Sequence, residues 1–227
     1  MANTRNEMAE MATARANVYG LLANVFREEP SNALLSQLMA PEFSGAMNAL
    51  GLSLDDMFNN KPRDQLLEDL SIEYSRLFFG PGHHISPHES LHVKARFGEE
   101  NEFWGASTVA VKKFMEGAGL QVAESFIGMP DHISAEFEFM QRLLEIEADA
   151  WNDGDKDLGA NIQNIENRFF DEHLSQWVNQ FCDKVIDATD NLFYRQFAEV
   201  TKHFIEFEAK TLVNLADTLL DGEKVSA

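Results

Sequence analysis

Apolar residues recur along this chain at steps of three and four, and breaking residues punctuate them, so the pattern predicts helices throughout. Met11, Val18, Leu22, Val25 and Phe26 mark one face of a helix from about Glu7 to Phe26. Glu29-Pro30-Ser31-Asn32 reads as a stop followed by a capped start, and Leu34, Leu35, Leu38 and Met39 form a short second helix. Pro41 opens a third through Met47 and Leu50, ended by Gly51. Lys61-Pro62-Arg63-Asp64 begins the next, whose inner stripe is Leu66, Leu70, Tyr74, Leu77 and Phe78, and Gly80-Pro81-Gly82 stops it.

Beyond the following loop, a short helix is expected from His88 to Phe97 and a better one from Glu99 to Met115, broken at Gly117-Ala118-Gly119. Met129-Pro130-Asp131-His132 then reads as a strong start, with proline and an acidic residue where a first turn prefers them. Ile133, Phe137, Met140, Leu144, Ala148 and Trp151 follow at helical spacing as far as the turn Asn152–Asp155. Two further patterns run through Leu158, Ile162, Ile165 and Phe169, and through Leu174, Trp177, Phe181 and Val185. A last helix carries Phe193, Phe197, Val200, Phe204, Leu212, Leu215 and Leu219. No stretch alternates with period two. The expectation is an all-α single domain over residues 1–227, of roughly nine or ten helices, with a hinge near 117–130 and a frayed tail at 222–227.

Composition narrows the function. A hydrophobic content of 44% excludes a disordered acidic chain despite the net charge of −20. That charge argues against nucleic acid and anionic membrane surfaces, and fits either a basic partner or solubility alone. The single cysteine, Cys182, excludes an internal disulfide framework. The first residues carry no apolar signal region, and no run approaches a membrane span. A soluble, cytoplasmic protein is expected.

Candidate chemistry is sparse. His83, His84, His88 and His92 crowd one loop, and Glu89–His92 is a Glu-x-x-His sequence, but a di-iron bundle needs two such motifs. Exposed or loop-packing histidines are the reading taken, with a metal-binding helical protein using the His83–His92 loop as the alternative. Cys182 sits within an amphipathic pattern, and neither a nucleophile elbow nor a phosphate loop is present. Asp131-His132 is the one pair with acid–base potential, though a cap beside a packed histidine explains it too. No catalysis, cofactor or metal is expected. The helix that delivers Tyr74, Leu77 and Phe78 to a proline-framed loop makes one wall of a pocket; the plainer alternative is a buried helix end and a turn.

Three segments together resemble the TorD/DmsD/NarJ family of redox-enzyme maturation chaperones. They are Glu73-Tyr74-Ser75-Arg76-Leu77-Phe78 with Gly80-Pro81 and Pro87-His88-Glu89-Ser90, then Pro130-Asp131-His132-Ile133 with Glu136, Phe139 and Met140, then Phe170–Leu174 with Trp177 and Phe181. Tyr74 stands where relatives often carry Trp, and Ser86-Pro87-His88 replaces a more usual Pro-Pro-Tyr. The resemblance implies a chaperone that binds the twin-arginine signal peptide and apo-form of a molybdopterin-containing oxidoreductase, assisting cofactor insertion and delaying export. The signal-peptide binding residues it implies are Tyr74, Leu77, Phe78, Pro81, Pro87, Glu89, Asp131 and His132. A monomer or a domain-swapped homodimer is expected.

Overall fold

A computed structural model describes residues 2–40, 58, 61–79, 82, 84–93, 105–119 and 128–225. Its α-helices are α1 (Ala2–Arg27), α2 (Asn32–Leu38), α3 (Arg63–Phe78), α4 (Ala106–Gly117), α5 (Ile133–Asp153), α6 (Lys156–Phe169), α7 (Ser175–Ala188) and α8 (Leu192–Val225). A 3₁₀ turn at Glu89–Leu91 and a π turn at Phe170–Leu174 complete the set, and one isolated antiparallel bridge joins His88 to His132. The fold is all-helical.

The π turn runs without a break from α6 into α7, so two patterns expected as separate helices form one rod. Seven helical rods are therefore described, fewer than the nine or ten expected. The helix expected from Pro41 to Leu50 lies outside the described residues, as do 94–104 and most of the hinge segment. Within the described part of His88–Phe97 there is only the 3₁₀ turn.

The ends of the helices follow from local chemistry. Ser31 Oγ accepts from the Leu34 amide at 3.2 Å and caps α2, and Asp155 Oδ1 accepts from Leu158 at 3.0 Å to cap α6. Gly154 closes α5 at φ 81°, a left-handed conformation that costs glycine nothing. Asn191 Oδ1 accepts from the Phe193 amide at 3.0 Å at the start of α8.

The core lies where α1 packs on α5, α5 on α6, and α7 on α8. Phenylalanine builds much of it: Phe78 stacks on Phe181 with ring centres 5.9 Å apart, and Phe26 meets Phe181 edge-on at 5.5 Å. Cys182 is buried beside them, and burial pushes its thiol up, away from reactivity. Among the described residues no helix is long and apolar enough to cross a membrane.

One polar centre interrupts this core. Arg15, buried on α1, donates through Nε and Nη2 to Glu208 of α8 at 2.8 and 2.9 Å, and pairs with Glu166 of α6 at 3.0 Å. Glu147 of α5 lies 3.6 Å away and accepts from Trp151 Nε1 at 2.8 Å. Burial first, then Glu147 and Glu208, hold the Glu166 carboxyl well above the usual carboxylate range, against the pull of Arg15. The inward stripe of α1 is consequently Ala12, Arg15, Ala16, Tyr19, Leu22, Ala23 and Phe26, whereas Met11, expected on the inner face, is 46% exposed.

Candidate functional site

Helix α3 turns Leu66, Leu70, Tyr74, Leu77 and Phe78 inward, as their spacing requires. Tyr74 Oη donates to the Phe26 carbonyl at the end of α1, at 3.0 Å, and Tyr194 Oη of α8 donates to the Leu70 carbonyl at 3.0 Å. Burial, and then Glu28 and Glu29, push the Tyr74 hydroxyl upward, so it stays a neutral donor. Phe78 is 3% exposed, enclosed by Phe26, Tyr74, Phe181 and Tyr194. The accessible aromatic is its neighbour Phe79, at 67% exposure.

After α3 the chain doubles back: the Ile85 amide donates to the Leu77 carbonyl at 2.7 Å. Residues 87–90 then lie antiparallel to the approach to α5. Ile133 donates to the Pro87 carbonyl at 2.9 Å, Glu89 donates to the Asp131 carbonyl at 2.9 Å, and Ser90 donates to Asp131 Oδ2 at 3.1 Å. Proline suits position 87 because its carbonyl is used and no amide is asked of it. Asp131 therefore clamps the loop, and does not cap the helix that follows.

The cap is His132. Its Nδ1 accepts from the Ser134 amide at 3.2 Å and from Ser134 Oγ at 2.8 Å, which places the ring proton on Nε2. Burial, then the neighbouring His88 and Arg27, lower its pKa to about 3. His88 meets His132 edge-on at 4.9 Å and is itself shifted down, chiefly by burial. His92 donates from Nε2 to the Ser86 carbonyl at 2.7 Å and accepts from Lys184 at 3.2 Å, and burial takes its pKa to about 4. These imidazoles are neutral packing groups of a folded loop. Among the described residues no three His, Cys, Asp or Glu side chains are grouped to hold a metal ion.

Beneath the loop, Glu89 meets the third segment. His173 Nδ1 donates to Glu89 Oε2 at 2.8 Å, and Trp177 Nε1 donates to Glu136 Oε2 at 3.1 Å. Burial, then the charge of Glu89, raise the Glu136 carboxyl well above its usual range. The π turn includes His173, and α7 carries Trp177 one turn further on.

The three segments singled out in the sequence thus form one cluster. Tyr74, Leu77, Phe78, Pro87, Glu89, Asp131 and His132 are all buried, and Pro81 lies outside the described residues. The described side chains form no open wall. The pairing of Glu136 with Trp177, and of Glu89 with His173, was not legible, because nothing local in sequence couples them. Nor was the Arg15 centre, although a lone arginine on the small-residue stripe of α1 was its signal.

A model of the family described as nitrate reductase delta subunit matches residues 37–183. The chaperone protein TorD of Shewanella sp. (strain ANA-3) is 26% identical over 216 residues, 88% of this chain and 94% of that one. TorD of Shewanella piezotolerans is 22% identical over 218 residues, covering 88% and 93%. A crystal structure of a putative redox enzyme maturation protein from Archaeoglobus fulgidus superposes with a TM-score of 0.50 at 19% identity, over 85% of this chain and 93% of that one.

Proposed function

The chain belongs to the nitrate reductase delta subunit family as a TorD-like member, and from that premise we propose a cytoplasmic, non-enzymatic chaperone for a molybdopterin-containing oxidoreductase. It holds the client's twin-arginine signal peptide and apo-form until the cofactor is inserted, and so delays export. The observation that carries this reading is the convergence of the three signature segments into one cluster within a strongly acidic helical fold.

In this reading Tyr74, Leu77, Phe78, Pro87, Glu89, Asp131 and His132 are positioning residues. They hold α3 and the 84–93 loop in place. Recognition of the basic leader rests on the net charge of −20, which steers an arginine pair at long range.

Calorimetry with a synthetic peptide of two adjacent arginines and an apolar core, at low and high salt, tests the proposal. Binding that weakens as salt rises is expected. Absence of binding at either salt concentration overturns it.

A further inference from the structure

An apolar groove of about 350 Å³ runs between α1 and α8, away from the signature cluster. Its walls are Met11, Ala14 and Val18 on one helix and Val200, His203, Phe204 and Phe207 on the other, with Arg15 on the floor. The lining positions on each helix fall at intervals of three and four, so the two helices present parallel apolar ridges with a channel between them. That is the geometry into which a third helix packs. Met11 and Phe207 stand 46% and 48% exposed at the rim, and an unbranched methionine adapts to varied apolar surfaces.

The charges around the groove restrict what it takes. Arg15 is committed to Glu208 and Glu166, so the floor offers no cation to an anionic ligand. Glu7 lies one turn before Met11 on the same stripe, with Glu10 beside it, and Glu199 and Glu206 lie on the outer shoulder of α8. All four are exposed, against His203 in the lining and one nearby exposed lysine, Lys210. An apolar helix with basic residues at its end is complementary to such a site.

We infer that this groove receives the apolar core of the client's leader as a helix, with its arginines drawn to the acidic rim. The inference rests on the chaperone reading above and adds the surface to it. Tyr74, Leu77 and Phe78 are buried, whereas Met11 and Phe207 stand exposed at this groove.

A double-mutant cycle tests it. Two synthetic leaders are used, both with paired arginines. One carries about twelve apolar residues, about 18 Å as a helix, and the other has serine and glycine in their place. Wild-type protein should bind the apolar leader about tenfold more tightly than the polar one. The rim variant Met11→Ser/Phe207→Ser should bind the two within about twofold, with its thermal midpoint unchanged. Equal preference for the apolar core in both proteins overturns the groove and leaves the chaperone reading standing. Failure of the wild type to bind either leader overturns both. If the variant unfolds, a photo-crosslinker at the centre of the apolar core replaces it: adducts on α1 and α8 of the wild type are expected, and adducts on α3 overturn the inference. A wild-type dimer that dissociates in the variant, without competition from the leader, gives the groove to a second copy and overturns it too.

Discussion

His173 donates from Nδ1 to the carboxylate of Glu89 at 2.8 Å, both side chains buried, across 84 positions of sequence. The bond ties the loop after α3 to the turn between α6 and α7. Removing one partner leaves the other buried and unpaired, which costs more than the bond itself contributes. His173→Ala and Glu89→Ala should each lower unfolding free energy by about 3–5 kcal/mol, while Glu89→Gln, which still accepts, should cost less. Urea denaturation of the three variants measures the difference.

Phe78 and Phe79 make a second comparison. Phe78→Ala empties a site enclosed by four aromatic rings and should cost about 3–5 kcal/mol. Phe79→Ala, at an exposed position, should change stability by no more than about 0.5 kcal/mol. Equal losses in denaturation midpoint would contradict this packing.

Histidine burial sets an acid limb. The folded pKa values of His132 and His92, about 3 and about 4, lie below the unfolded value of about 6.5. Between those limits the unfolded chain binds more protons than the folded one, so stability falls as pH falls through that window. It is fully present above the unfolded value. Each histidine contributes a slope of up to about 1.4 kcal/mol per pH unit. Glu136 and Glu166 act oppositely: their raised folded values keep protons that the unfolded chain releases, so they cost stability as pH rises above the unfolded carboxyl range. Unfolding from pH 7 down to pH 4 should show a decline that His92→Gln/His132→Asn flattens, asparagine keeping the cap.

Among the described residues, Arg15 is the only cation paired with three buried carboxylates on three other helices. Arg15→Met should lower stability by about 3–5 kcal/mol, because Glu208 and its neighbours would stay buried without a counter-charge. Adding Glu208→Gln and Glu166→Gln should recover part of that loss. Thermal midpoints of the single and triple variants, together with their helical circular dichroism, check the result.

The all-helical fold was legible in the chain itself, because burial of one face forces apolar residues to recur with the helical period, and Leu66 through Phe78 or Ile133 through Trp151 obey it. The caps at Ser31 and Asp155 were equally local, since a side chain meets amides two or three residues away. The three signature segments could likewise be picked out from their residues alone. Which side of α3 faces solvent was harder. Leu77, Phe78 and Phe79 are consecutive and all apolar, and only the presence of Phe26 and Phe181 makes the first two core and leaves the third outside. Asp131 and His132 exchanged their expected parts because the loop from residue 87 comes to lie against them and takes the carboxylate for itself. Glu89 with His173, and Arg15 with Glu208, join residues far apart in sequence. A buried charge finds its partner through the packing of whole helices, and only the tertiary structure decides which partner that is.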